Sequence, residues 1–444
     1  MESIRNNRVL LITLAVLVVL FLLAVQGMST SDWVITVFRG VATGAITFLV
    51  ASGLSLIFGL LDVLNLAHGA LFMIGAYVGW TVYVRPDTFV DLLAPVLLLG
   101  AGLLLRPLLE ELLGRLRVPE SVARVWPWVA LALAALVLVV SFVNWPIDKW
   151  DPAVPALSPS TATLNMDMAT KANQPRPVPE GAGSGSVLAV LGLVAGGALL
   201  AVSRSGFAAR HGATGSGLTV KRLLLLLAVL VLGVVTWLTN DALTAWLMGL
   251  HTTWLFLLAM LVATLTGAVL GGLIEISLIR PLYARPIYQL MITLGLGVMG
   301  IELVRAIWGK VEFTMPKPAI FVGSGEGCPA TSIGGWLTNK CSTFLLLDGR
   351  LRTYNEVFAL IVGIVVLVAV WLLLKRSRLG MIIRAGVQDS QMVEALGINV
   401  RQVFTFVFAL GSALAALGGV VAAPAMGLSP YMGATLLLGA LVAL

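Results

Sequence analysis

Residues 357–374 read VFALIVGIVVLVAVWLLL, and Lys375, Arg376 and Arg378 follow within the next four positions. No polar side chain interrupts the run, which as a helix is roughly 27 Å long, close to the thickness of bilayer hydrocarbon. It ends on a cluster of cations, which membrane helices carry mainly on the cytoplasmic side. The stretch predicts a transmembrane helix, and the same pattern recurs along the chain. Apolar blocks lie near 9–25, 37–58, 69–84, 91–105, 126–143, 187–202, 223–238, 254–275, 288–308 and 403–421, with another beginning at about 436. The expected fold is all-α, a polytopic transmembrane helix bundle of about 11–12 apolar segments. Several blocks fall short of the ~20 residues a span requires, and the run from 60 to 84 is the candidate for a re-entrant path.

Composition agrees. Of 444 residues, 59% are hydrophobic and 11% charged, against roughly 25% charged in soluble domains, which excludes an ordinary soluble protein. The net charge of +7 comes without a dense basic run, so it argues for membrane orientation and against nucleic acid as a partner. With strict alternation and the N terminus inside, the inner stretches hold 17 Lys and Arg in 93 residues and the outer ones 9 in 123. Residues 375–402 then face the cytoplasm. Two Cys and three scattered His give no metal cluster. Residues 1–36 hold the first block, an anchor or a signal peptide after Arg5 and Arg8, with a weak cleavage site at Ala24, Val25 and Gln26.

Two outer stretches differ from the rest. Residues 144–186 carry seven Pro between Pro146 and Pro179, a composition that buries no core and predicts an extended linker. The 309–356 loop holds Cys328 and Cys341 on the side where oxidation is permitted, so a disulfide between them is expected, with two free thiols as the alternative. Four GxxxG pairs, Gly40/Gly44, Gly75/Gly79, Gly192/Gly196 and Gly267/Gly271, predict close helix approach. The last apolar block stops at Leu444 as though cut short.

Asn65 and His68 are three positions apart, so on a helix they would share a face; beside apolar sequence both need partners. They either shape a polar step in a substrate path or bond to helix backbone and pin a kink. Gly69 is expected to serve packing. Thr293 is either a substrate contact or a hydroxyl bonded one turn back. Glu302 and Arg305, also a turn apart, predict an internal ion pair at a membrane boundary. In the 375–402 loop, Asp389 can cap a short helix in which Met392, Val393 and Leu396 share one side, with Gly397 as its left-handed stop. That apolar stripe must lie on lipid, on the chain itself or in a partner's groove. There is no phosphate loop, nucleophile elbow or HExxH pair, so an enzyme is not expected.

Three ordered motifs resemble the branched-chain amino acid permease family of ABC importers. The first runs from Gly53 to Gly59 through Leu54, Ser55, Leu56, Ile57 and Phe58, then Asn65, Leu66, Ala67, His68 and Gly69, then Gly75, Ala76 and Tyr77. The second is Arg280, Pro281 and Leu282, with Thr293, Leu294 and Gly295. The third is Gly380, Arg384, Ala385, Asp389, Glu394, Ala395, Gly397 and Ile398, which looks like the family's ATPase-contacting loop. The resemblance covers about 37–84 and 254–444. It leaves 85–250, with four apolar segments and the Pro-rich linker, as an insertion before a permease core at 251–444.

The resemblance implies a permease subunit in the bacterial cytoplasmic (inner) membrane and no cofactor. It also implies cytoplasmic ATP-binding subunits, a second permease subunit, an extracytoplasmic substrate-binding protein, and branched-chain or other hydrophobic amino acids as substrate. It places ATPase coupling on Arg384, Ala385, Asp389, Glu394, Ala395 and Gly397, to which the helix reading adds Met392, Val393 and Leu396, while Asn65, His68, Gly69 and Thr293 form a candidate substrate path on the residues' own chemistry. Urea or short amides remain alternative substrates. A passive channel or secondary transporter remains an alternative class, less suited to an amphipathic helix in the loop after 375 and to the lack of intramembrane acids for ion coupling.

Overall fold

The computed structural model describes residues 2–114, 120–145, 187–205 and 220–443, except 284, 311, 313, 348 and 389. The Pro-rich linker lies almost wholly outside the described residues, as does Asp389 with its expected capping role. Among the described residues seven helices are long and apolar enough to cross a membrane, one further pair passes the test as a bent unit, and shorter apolar helices cover 12–25, 68–84, 187–203 and 432–443. Together they account for the expected segments, and the fold is an all-α polytopic bundle.

The chain forms two compact units, one of Thr81–Asp151 with Pro175–Leu250 and the other built on Met1–Trp80 and His251–Leu444. Three helices open the chain: α1 (Glu2–Val25), α2 (Thr30–Leu61) and α3 (His68–Val84). The unit from 81 to 250 then contains α4 (Pro86–Leu104), α5 (Arg106–Gly114), α6 (Glu120–Val143), α7 (Val187–Ser205), α8 (Val220–Leu238) and α9 (Asn240–Gly249). Its core is Ala94, Leu98, Trp145, Ala189, Val190 and Leu193. A Cβ on Gly197 would lie 2.5 Å from Leu99 O, so α4 and α7 touch backbone to backbone. Residues 239–253, expected as a loop, instead contain α9, bent 79° from the helix before it. Its apolar Leu247 is buried, and Asn240 Nδ2 donates to Asp91 Oδ1 at 2.7 Å, which fixes the bend.

The other unit continues with α10 (Thr252–Ile274), α11 (Pro286–Trp308), α12 (Ile333–Asn339), strands β1 (Thr343–Leu346) and β2 (Gly349–Arg352), α13 (Ala359–Arg376), α14 (Arg378–Gln388), α15 (Ser390–Ala395), α16 (Val400–Met426) and α17 (Met432–Ala443). The long loop at 309–356 is therefore folded: β1 and β2 pair antiparallel, and Cys328 and Cys341 form a disulfide. Phe321, Tyr354 and Phe358 pack ring on ring beneath the hairpin, and Tyr354 donates to Val421 O at 2.8 Å.

At the centre stands α16, 78% of whose apolar window is buried, against 50% or less for every other span. Small residues allow this. A Cβ at Gly53 would lie 2.3 Å from Gly411 O, at Gly75 2.4 Å from Ala416 Cα, and at Gly271 2.2 Å from Ser412 Oγ. Three of the four GxxxG pairs thus serve close approach, Gly192 and Gly196 meeting Ser141 and Leu138. The pair Gly40/Gly44 does not: among the described residues, a Cβ built on either would meet nothing within 4 Å.

Gly75→Leu and Gly40→Leu make the same change on two membrane helices and should differ sharply. The first forces a side chain into the α16 backbone and should cost about 3 kcal/mol or more, while the second should stay within about 0.5 kcal/mol. Thermal unfolding in detergent reads the contrast; equal melting of the two variants would contradict the packing described.

Candidate functional site

The first motif folds as a broken helix. Asp62 takes a left-handed conformation (φ 53°), with its N–H on Phe58 O, and ends α2. The chain then runs without helix until His68. Asn65 therefore does not share a helix face with His68, as their spacing suggested; it lies in the break and caps the entry to α3. Its Oδ1 accepts from Ala67 N at 3.1 Å, and its carbonyl accepts from His68 N at 3.1 Å. An amide side chain able to replace a backbone turn favours this over another helical turn. His68 Nε2 bonds to Val50 O of α2 at 3.1 Å, and Thr293 Oγ1 of α11 donates to Leu290 O at 3.1 Å and, more weakly, to Leu64 O at 3.5 Å. Asn65, His68 and Thr293 are all wholly buried. Gly69 meets α17, where a Cβ would lie 2.5 Å from Gly433 O. The four candidate path residues thus gather around residues 62–69.

The third motif forms a compact turn. Ser377 Oγ accepts from Gly380 N at 2.9 Å, capping α14, and Arg384 donates through its guanidinium to Leu374 O at the end of α13. Arg384 is thus a helix cap as well as a positive charge. In the short helix α15, Val393 is 3% exposed, whereas Met392 and Leu396 are 62% and 74% exposed. The expected stripe is split, with Val393 turned into the chain and the other two outward. Gly397 has φ 80°, and Ile398 N reaches back to Val393 O at 3.3 Å, a left-handed stop of the Schellman type. Glu394 and Ala395 are exposed, as is Ala385.

A group the sequence reading missed ties this end of the unit together. Below α10 the helix widens into a π turn over Glu275–Ile279, followed by a 3-10 turn at Arg280–Leu282. Arg280 Nη2 meets Glu275 Oε2 at 2.9 Å and donates to Thr405 Oγ1 at 2.6 Å. Thr405 Oγ1 donates to Glu275 Oε2 at 2.7 Å, and the Tyr283 hydroxyl donates to Glu275 Oε1 at 2.6 Å. Glu275 is wholly buried. Five residues separate it from Arg280, a spacing outside the three- or four-residue helical rule, and the π turn is what closes the gap. A lone acid in the apolar run from 252 to 282 was the signal available.

At the opposite end of α2, Gly349 of the hairpin packs on Ser31 and Val34. Burial and the neighbouring Arg352 hold the Lys317 ammonium below its ordinary pKa there, and its Nζ lies 6.0 Å from the Tyr354 ring centre. Glu302 and Arg305 pair at 2.8 Å, and Arg305 also sits over Tyr431. Neither end carries a metal cluster among the described residues.

A protein-family model described as the permease component of branched-chain amino acid transport systems matches residues 36–240 and 211–444. The chain is 26% identical over 190 residues to the high-affinity branched-chain amino acid transport system permease protein LivH of Salmonella typhimurium, covering 42% of this chain and 56% of that protein. LivH of Escherichia coli K12 matches with the same identity and coverage. BraD of Pseudomonas aeruginosa, named a permease of the same kind, is 33% identical over 75 residues, 17% of this chain and 24% of that protein. The chain thus spans about half the length of the LivH proteins, and no solved structure matches it.

The Glu275 group makes an asymmetric prediction. Arg280→Met strands a wholly buried carboxylate, whereas Glu275→Gln leaves a guanidinium that is 31% exposed and can turn outward. Arg280→Met should lower the detergent melting temperature more, by the equivalent of several kcal/mol. The reverse order would show that the carboxylate is not the group being compensated.

Proposed function

The chain belongs to the branched-chain amino acid transport permease family, and we propose that it is the membrane-spanning subunit of an ATP-driven importer for branched-chain or other hydrophobic amino acids. As a multi-pass protein of the inner membrane it would work with cytoplasmic ATP-binding subunits, a second permease subunit and an extracytoplasmic substrate-binding protein. The observation that carries the proposal is α15 and the turn that ends it: a six-residue helix anchored inward by Val393 and stopped by Gly397, with Met392 on the helix and Leu396 just after it facing outward. Two large apolar side chains on a loop this polar fit a groove on a partner. A passive channel has no use for them.

In this reading, closure of the ATP-binding subunits displaces α15. The displacement passes to α16, which starts five residues after α15 ends. The Glu275–Thr405 bond then carries it to the base of α10, and the bundle alternates between outward-open and inward-open forms as packed bodies. No covalent chemistry is asked of this chain. The candidate path would run past Asn65 in the break, His68 and Gly69 at the start of α3, and Thr293 on α11.

Leu396→Asp and Met392→Asp should each abolish co-purification of the ATP-binding subunits and substrate uptake, because an unpaired charge in an apolar groove costs several kcal/mol. Gln402→Ala, at an exposed polar position beyond the helix, should leave both near wild type. Orientation is checked in the same membranes: Gln388→Cys should react with impermeant maleimide only from the cytoplasmic side and Ser324→Cys only from outside. Normal assembly of Leu396→Asp, or labelling of both cysteines from one side, would overturn the assignment.

A further inference from the structure

The break before α3 holds a set of polar groups that its own fold leaves unused. Asn65 spends its Oδ1 on Ala67 N, but its Nδ2 has no partner among the described residues. His68 spends Nε2 on Val50 O, and its Nδ1 has none. A carbonyl can only accept, so the imidazole proton of that bond sits on Nε2; in a neutral ring Nδ1 is then an acceptor. Among the described residues, the N–H groups of Gly69 and Ala70 in the first turn of α3 have no backbone acceptor, and the carbonyl of Leu66 has no backbone donor. Both side chains are wholly buried, where an unused polar group is costly.

These groups fall into two sets. Three donors, Gly69 N, Ala70 N and Asn65 Nδ2, lie at the positive end of a 17-residue helix, the arrangement that favours a carboxylate. Two acceptors, His68 Nδ1 and Leu66 O, suit an ammonium. We propose that the broken segment at residues 65–70 is a transit subsite for the zwitterionic backbone of an α-amino acid, its carboxylate on the first turn of α3 and its ammonium on His68 Nδ1 and Leu66 O. This rests on the amino-acid transport reading above and adds which groups recognise the substrate. Broken helices whose ends and freed backbone bind substrate charge are an established solution inside membranes. In the conformation described the segment is closed, with Thr293 on Leu64 O and Gly69 against Gly433, so the subsite belongs to a form in which α3 has parted from α11 or α17.

Two substitutions remove the unused groups while keeping the bonds that hold the fold. Asn65→Ser retains an oxygen to cap Ala67 N and loses the amide donor. His68→Gln retains a nitrogen donor for Val50 O and loses the Nδ1 acceptor. In the full transporter reconstituted in vesicles with its ATP-binding and substrate-binding proteins, each should lower leucine uptake at least tenfold. Binding-protein-stimulated ATP hydrolysis should stay within about twofold of wild type, a hydrogen bond to a charged group being worth about one to two powers of ten. If one variant fails to assemble, the other decides. The proposal is overturned if uptake is unchanged, if uptake and stimulated hydrolysis fall together, or if neither variant assembles, since each outcome makes the two residues structural or irrelevant. A wild-type complex that hydrolyses ATP but moves urea and no amino acid overturns the transport reading itself, and the subsite with it.

Discussion

Inside a bilayer the chain has no water to satisfy its backbone, so a helix can be interrupted only where other parts of the protein supply hydrogen bonds. The stretch from Asp62 to Ala67 meets that constraint, and much of the surrounding unit depends on how it is met. A left-handed residue returns one N–H to α2, a carboxamide stands in for a turn, and a histidine reaches back to the buried Val50 carbonyl of α2. The last of these needs α3 to begin deep within the bundle and to pass close by α2 and α16. Gly53 permits it: a Cβ there would be 2.3 Å from Gly411 O and 3.1 Å from His68 Cε1. One glycine therefore sets two contacts, helix against helix and imidazole against helix.

Lipid offers no hydrophobic drive for helices to associate, so the bundle is held by close packing of small residues and by a few polar ties. Along α16 the sequence from Gly411 to Ala423 is almost wholly buried and contains no side chain larger than Leu. Such a helix has little freedom to change its neighbours one at a time. It has a polar tie at each end: Thr405 bridges Glu275 and Arg280 at the base, and the Val421 carbonyl accepts from the Tyr354 hydroxyl further up. A rigid, fully packed rod fixed to a charge pair at one end is suited to moving as a body.

Much of the fold was legible because hydropathy answers a question of length: each expected apolar segment has its helix, with ends a few residues away. The features that the pattern missed obey different physics. The bend before α9 depends on Asn240 finding Asp91, and the hairpin at 343–352 on contacts with α2 that no local periodicity records. Gly40 and Gly44 show the converse, since their spacing suits close approach but a Cβ at either would meet no described atom within 4 Å. At the candidate site the geometry was not readable from the sequence. Asn65 and His68 were placed on one face because three residues make nearly a helical turn, and the break defeats that rule. Glu275 escaped notice because its partner sits five residues on, a spacing that only a π turn makes useful.

The same irregularity bears on how movement would cross the unit. An ordinary helix at the base of α10 would turn Glu275 and Arg280 apart and leave Thr405 to bond only its own backbone; the π turn instead presents carboxylate and guanidinium together to α16. Upward along α16, Thr405 holds α10, Gly411 rests on Gly53 beside the His68 ring, and Ala416 rests on Gly75 of α3. The distance from Val400, the first residue of α16, to Gly411 is about three helical turns, or roughly 16 Å. A tilt applied at Val400 would thus reach the His68 contact along one close-packed helix. Because Gly53 and Gly411 meet backbone to backbone, α16 cannot shift there without displacing α2 and, through His68 on Val50, the start of α3. The unwound stretch at 62–67, which lacks a helical ladder of its own, is where such a displacement would cost little.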